Sequence, residues 1–201
     1  MKAALKDPFD REKQFSSKRR AVIVAAGQAF RRRGYHNASM TEIAKTLGLT
    51  KAALYYYVRN KEEVLYECHL MAYDAMDEIL RSKHEAETAL DKLEILYIDF
   101  VNMLTASGVS LLTDVNSLGD ENKADVLARR GKIERKIIRL VKDGQKEGSI
   151  RAGDARLHVF FFMGALNWLN AWYDASGRLK GEDIAAHFAL QMRQGVRNSY
   201  G

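Results

Sequence analysis

Apolar residues fall at helical spacing along almost the whole of this chain, and only one proline stands among its 201 residues. Proline removes a backbone donor and clashes with the preceding helical turn, so its scarcity permits long unbroken helices. Val22, Ala25, Ala26, Ala29 and Phe30 recur at i, i+3, i+4, i+7 and i+8, the stripe of a helix with one buried face. Met40, Ile43, Ala44 and Leu47 repeat that spacing. So do Leu65, Cys68, Ala72, Met76 and Ile79, and then Leu93, Tyr97, Phe100, Val101 and Leu104. Ile133, Ile137, Leu140 and Val141 mark a long helix, and Ile184, Phe188, Met192 and Val196 mark the last. No strand-like alternation survives the pass. The expected fold class is all-α, with about nine helices.

Punctuation divides these helices. Arg31 to Arg33 followed by Gly34 reads as a helix stop, with basic residues in the last turn and glycine beyond it. Ser39 with Glu42 three residues on has the pattern of a capping box, and Gly48 ends that short helix. Thr50 can cap a third helix through about Val58. Asn60, with Glu63 three residues on, can cap a fourth running toward Arg81. Three helix starts therefore crowd into 22 residues, Ser39 to Asn60. Farther on, a helix ends near Gly108, a short helical segment covers Val109 to Leu118, and a long helix stops at Gly148. Asp154 can cap a helix through about Asp174, and Glu182 to Asn198 forms the last.

Charge is uneven. Residues 1–66 hold 14 Lys/Arg and 6 Asp/Glu, a balance of +8, whereas residues 67–201 hold 18 and 20, a balance of −2. The division expected is a flexible basic arm at 1–17, a helix-turn-helix DNA-binding domain at 18–66, and a ligand-binding and dimerisation domain at 67–201. The single proline, Pro8, falls in the arm, outside every expected helix.

Several function classes recede. One cysteine excludes an intrachain disulfide and a four-cysteine zinc site. The five histidines are scattered, and Glu67, Cys68 and His69, consecutive on a helix, point about 100° apart and cannot converge on one ion. No phosphate loop, dinucleotide fingerprint or zincin motif is present. The expectation is no enzyme, no metal and no cofactor. Met1 to Ser17 lacks an apolar core of a leader, and the apolar run Leu157–Trp172 is shorter than a membrane span. A cytoplasmic protein is expected.

Ser39 to Val58 reads as helix, tight turn, helix. Packing Ile43, Ala44, Leu47, Leu54 and Val58 on the first helix would leave Lys51, Ala52, Tyr55 and Tyr56 on an outer face. In a helix-turn-helix the second helix enters the major groove and its N-terminal residues meet base edges. Lys51 can donate to guanine or phosphate, Ala52 and Ala53 allow close approach, and tyrosine hydroxyls reach phosphates. Lys61, in the first turn of the next helix, sits where an anion is favoured.

The stretch AAGQAFRRRGYHNASMTEIAKTLGLTKAALYYYVRNKEEVL, Ala25 to Leu65, resembles the N-terminal domain of TetR-type transcriptional regulators. The Gly34-Tyr35 entry with Ala38-Ser39, the Ile43-Ala44 to Leu47-Gly48 turn, the Leu54-Tyr55 to Val58 recognition helix and the Lys61-Glu62 helix start all fall in register. The resemblance implies phosphate contacts from Ser39, Thr50, Tyr55, Tyr57 and Lys61. It implies base-facing positions at Lys51, Ala52, Ala53 and Tyr56. Val58 stands where phenylalanine is commoner.

Residues 157–172 are apolar on all sides, so that helix must be buried all round. A chain this small rarely encloses a helix alone, and a twin subunit is the economical cover. Gly164, Ala165, Trp168, Trp172, Phe188 and Met192 are the candidate dimer interface. Tyr97, Phe100, Met103, Leu104, Leu111, Leu112, Ile137, Phe161 and Asn167 are candidate pocket lining, most of them also ordinary core. The run from Asn167-Trp168 through Trp172-Tyr173 to Gly177-Arg178-Leu179 resembles the fatty-acid and acyl-CoA regulators of that family, although Asp174-Ala175-Ser176 stands where Arg-Pro is common. The resemblance implies a homodimeric repressor that binds a palindromic double-stranded DNA operator. A small apolar effector, a long-chain fatty acyl-CoA in an apolar tunnel, would release it. The alternative is a helical acyl-ligand-binding protein or enzyme without sequence-specific DNA binding.

Overall fold

A computed structural model describes residues 8–197. Their helices are α1 (Pro8–Arg33), α2 (Met40–Thr46), α3 (Lys51–Tyr55), α4 (Lys61–Arg81), α5 (Ala89–Ala106), α6 (Asp120–Glu147), α7 (Ala155–Trp172) and α8 (Gly181–Val196). One 3₁₀ turn, Val115–Ser117, precedes α6. The all-α expectation holds, with eight α-helices and this turn among the described residues. A lone antiparallel bridge joins Ile150 to Arg197.

The buried stripe of α1 is Val22, Ile23, Ala26 and Phe30. The helix begins well before the apolar period indicates, inside the segment expected to be a flexible arm. Extending an existing helix adds one hydrogen bond per residue fixed, without a second nucleation step. Pro8 opens α1, where its missing N–H would have had no helical partner. Asp10 in the first turn suits the helix dipole and accepts from Gln14 Nε2 at 3.2 Å. From Asp10 to Lys18 this extension is exposed.

Helices α1 to α3 form a small head around Ile43, Ala44, Leu54 and Val58, each 2% exposed or less. Leu47 is half-buried. Ser39 Oγ accepts from Thr41 N at 3.3 Å. The expected reciprocal bond from Glu42 is absent, because Glu42 is drawn to the Arg33 guanidinium instead, a stronger charge-assisted partner. Thr50 Oγ1 accepts from Ala53 N at 3.1 Å, and Asn60 Oδ1 from Glu63 N at 2.7 Å. Helix α3 ends at Tyr55 rather than near Val58.

Helix α4 continues from the head into the body without a break and buries Leu65, Cys68, Ala72 and Met76. Arg19 of α1 pairs with Glu63 and Glu67 of α4 at 3.0 and 2.7 Å. Asp77 of α4 accepts from Lys132 and Lys136 of α6 and from Arg81. These cations hold its carboxyl well below the usual range, Lys136 most strongly. In the body α5 packs along α8, and Arg193 clasps Asp91 and Glu94 across that seam. Helix α6 ends at Gly148, whose φ of 85° is left-handed. The chain then returns so that Ile150 lies against Gly144. A Cβ on Gly144 would come within 2.6 Å of the Ile150 side chain.

The segment Val109–Leu118, expected to be a short helix, is mostly irregular. Val109, Ser110, Leu111 and Leu112 are all buried. Four consecutive buried residues need cover on every side, which one helical face cannot provide.

Candidate nucleic-acid interface and ligand pocket

Helix α3 is seated by Leu54, which is fully buried, and by Val58 just beyond its end. That seating turns Lys51, Ala52, Tyr55 and Tyr56 outward, and Tyr56 is 71% exposed. The Lys51 ammonium lies 6.0 Å from the Tyr55 ring. Thr50 is exposed, and its hydroxyl proton stays available because its oxygen only accepts from Ala53. Ser39, Ala53, Tyr57 and Lys61 are half-buried at the edge of this face. Lys61 donates to the His36 carbonyl at 3.1 Å and sits 4.6 Å from the Tyr35 ring centroid. It fastens the start of α4 to the α1–α2 connection, and burial lowers its pKa. The sequence reading missed Phe15. It packs on Tyr56 and Tyr57 with ring centroids 5.5 and 5.3 Å away, so the second turn of α1 flanks α3.

The body holds an enclosed cavity of about 100 Å³ between α4, the α5–α6 connection, α6 and α7. His69 and Tyr73 form one wall, Leu111 and Leu112 another, Val126 and Ile133 a third, and Met163 and Asn167 the last. Arg130 and Glu134 also line it. His69 is 1% exposed, and neither ring nitrogen has a hydrogen-bond partner among the described residues. Burial holds its imidazole down to about 4, against a small opposing pull from Asp114. A buried polar group left without a partner costs about 1–3 kcal/mol. Ser110 Oγ and Asn170 Nδ2 are buried without partners as well, while Asn170 Oδ1 accepts from Leu111 N at 3.4 Å. Cys68, one residue before His69, faces the α1 side instead and donates to the Ile23 carbonyl at 3.4 Å; burial pushes its thiol up to about 12.

The connection that walls this cavity also touches the head. Ser117 Oγ lies 3.1 Å from His36 Nε2. Glu62, in the first turn of α4, accepts from Gly119 N at 2.8 Å and from Asn122 Nδ2 at 3.3 Å.

Residues 22–68 match the sequence profile of bacterial regulatory proteins of the tetR family. Residues 86–196 match that of the tetracyclin repressor-like C-terminal domain. The chain belongs to the TetR family.

TetR-family relatives match across most of its length. The HTH-type transcriptional regulator TtgR of Pseudomonas putida is 24% identical over 79% of this chain and 84% of its own. The uncharacterized HTH-type transcriptional regulator YhgD of Bacillus subtilis is 26% identical over 89% and 96%. Among solved structures, AibR in complex with isovaleryl coenzyme A and operator DNA is 25% identical with a TM-score of 0.70, covering 86% of this chain and 96% of that one. The ketosteroid regulator KstR2 of Mycobacterium tuberculosis, 18% identical at a TM-score of 0.74 over 90% and 95%, shares the fold. The TetR-type regulator is thus DNA-binding and ligand-responsive.

Its expected pocket residues separate into groups. Leu111, Leu112 and Asn167 line the main cavity. Tyr97, Phe100 and Ile137 line a second void of only about 10 Å³, and Tyr97 donates to the Phe162 carbonyl at 3.2 Å. Met103 and Leu104 are close-packed core. Phe161 lies on the opposite side of α7 and is 77% exposed. It follows Phe160 by about 100° of helix rotation, which the run of three phenylalanines concealed. The expected long apolar tunnel is replaced, among the described residues, by the short closed cavity. His69 and Tyr73 were read as part of a core helix, and their lining role has no signal in the sequence.

Helix α7 is not buried all round within one chain. Leu157, Phe161, Gly164, Trp168 and Trp172 are exposed on one side, and Ala165 is half-buried beside them. Phe188 is half-buried. Met192 is 2% exposed within its own chain, because the stripe at every fourth residue of α8 faces the body. Leu190, 47% exposed, is the apolar residue α8 presents outward. Among the described residues no helix is long and apolar enough to cross a membrane.

Proposed function

We propose that this chain is a cytoplasmic repressor that binds a palindromic operator as a homodimer and is released by a small, mostly apolar acyl thioester of coenzyme A. The observation carrying the DNA reading is the outward face of α3, with exposed Tyr56, Tyr55, Lys51 and Ala52 above a fully seated Leu54. It belongs to the part of the chain that holds the +8 balance. Lys51 and Tyr56 reach base edges, while Thr50, Ser39, Tyr55, Tyr57 and Lys61 approach phosphates. Lys61 plays two parts, since its ammonium also holds α4 to the preceding connection.

The dimer reading rests on the bare side of α7. Phe161 and Trp168, 77% and 67% exposed, leave a patch that a monomer seldom presents to water. A twin copy would cover it by a two-fold contact and hold two α3 helices to successive half-sites.

The effector reading rests on the cavity beside His69. On a scale where roughly 150 Å³ accommodates a benzene ring, about 100 Å³ suits a chain of few carbons and excludes a long acyl tail. AibR, with its isovaleryl coenzyme A, supports a short branched acyl group. A thioester carbonyl would give the neutral His69 ring an acceptor. Release follows from differential affinity. A ligand pressed on Leu111 and Leu112 favours the conformer in which the α5–α6 connection has moved, and that connection braces His36 and Glu62 of the head.

Footprinting on DNA upstream of its own coding sequence tests the core reading. One protected palindrome, lost on raising salt, is expected. No protection at low salt rules the DNA reading out. Isovaleryl-CoA is expected to dissolve the footprint, and a footprint indifferent to short-chain acyl-CoAs removes the effector class.

A further inference from the structure

A second concavity, of about 400 Å³, lies between the C-terminal end of α4, α5 and α6. Lys92, Lys132, Arg135, Lys136 and Arg139 line it, with Asp143 as the one carboxylate among its lining residues. This collection of positive charge stands in a body whose own balance is −2. Lys132 and Lys136 are engaged by Asp77. Lys92, Arg135 and Arg139 form no ion pair among the described residues. Three unmatched cations around one hollow repel each other, and a multivalent anion removes that repulsion.

DNA does not supply that anion. Leu80, in the cleft wall, is 19 residues along α4 from Lys61 at the head, roughly 28 Å at the rise of an α-helix. The wall is also not wholly polar. Leu96 lines the cleft and equally lines the small void beneath α5, whose other walls include Met163 of the main cavity. The sequence of basic cleft, thin apolar partition and apolar cavity fits a ligand with a phosphate-rich end and an apolar end.

We infer that the cleft lined by Lys92, Arg135 and Arg139 is a binding site for the phosphoanhydride portion of the effector. The inference rests on the acyl-thioester reading for the identity of the ligand, but the anion site itself is testable without it. Arginine suits such a site because its fork makes paired hydrogen bonds to phosphate oxygens.

Tripolyphosphate titrated into the full-length protein by calorimetry probes the cleft alone. Saturable, salt-sensitive binding is expected, weakened at least ten-fold by Arg135→Gln with Arg139→Gln. Both side chains are exposed, so the variant should keep its thermal midpoint and operator affinity. Restoring charge as Arg135→Lys with Arg139→Lys should recover most of the binding. Absence of saturable binding, or equal binding by parent and glutamine variant, overturns the site. A second arm compares isovaleryl-CoA with S-isovaleryl-pantetheine, which carries the same acyl end without the phosphates, as agents of operator release. The parent should respond to the CoA thioester at concentrations at least ten-fold lower, and the glutamine variant should respond to both alike. Equal potency on the parent overturns the inference. If neither thioester releases operator while tripolyphosphate binds and the variant fails to, the acyl-thioester reading falls and the anion site stands.

Discussion

Tyr56 has less protein cover than any other large aromatic of the head, yet its ring edge rests on Phe15 and Tyr57. It is therefore held in place without being buried, as a side chain that inspects base edges must be. Tyr56→Ala is expected to narrow the affinity gap between operator and random DNA by about ten-fold, on the scale of a lost base contact of about 1–3 kcal/mol. Competition gel shifts measure this, and an equal loss on both DNAs would refute the role. His69 gives a prediction in pH. Its folded pKa of about 4 lies below the unfolded value near 6.5, so the unfolded chain binds the extra proton between those limits. Stability should be intact above about pH 6.5, fall as the pH drops toward 4, and level off below, with a total of about 3 kcal/mol. His69→Phe should flatten that part of the profile in denaturant titrations. An unchanged slope would mean that the ring is already charged or partnered in the fold. Tyr56 was legible in the sequence because a helix-turn-helix places its exposed face by register. His69 was not, since a histidine on an apolar stripe looks the same whether its nitrogens face a carbonyl or a cavity.

Among the helices, those with an apolar stripe and a stop glycine were read nearly to their ends, α6 above all. The errors fall where tertiary packing overrode local pattern. The first turns of α1 have no stripe to read, and Val109–Leu112 is held by cover from several helices. Thr88 with Asp91 forms a true capping box at the start of α5, missed because the search was for Glu or Gln at that position. Ser39 with Glu42 matched the pattern but lost its partner to Arg33. Gly144 shows how tightly α6 meets the returning chain. Gly144→Ala must displace Ile150, itself 1% exposed, and should cost about 1–3 kcal/mol in chemical denaturation. The α5–α6 connection makes a functional prediction of the same kind. Glu62→Gln weakens the bracing of Gly119 without touching the cavity. The effector should bind as before but raise the operator dissociation constant several-fold less than in the parent. Undiminished release would show that the signal runs by another route.

For the molecule as a whole, the bare side of α7 decides the assembly. Trp168→Lys should turn a dimer into a monomer in analytical ultracentrifugation and reduce operator affinity at least a hundred-fold, because two half-sites are no longer held by one particle. A dimer that survives Trp168→Lys, or Phe161→Glu, places the twin elsewhere. No sequence pattern could separate this side of α7 from the cavity side, as both are apolar, and only the packing of α6 against one of them makes the distinction. That two-sidedness has a consequence for the effector. Phe160, Met163 and Asn167 of α7 face the cavity, while Phe161, Gly164 and Trp168 face outward, within one turn of them. In the proposed homodimer, a molecule filling one cavity presses from within on the rod whose outer side abuts the twin. The two cavities then share a single wall. Their occupancies should not be independent, and the release curve should depart from a simple hyperbola, with a Hill coefficient different from one.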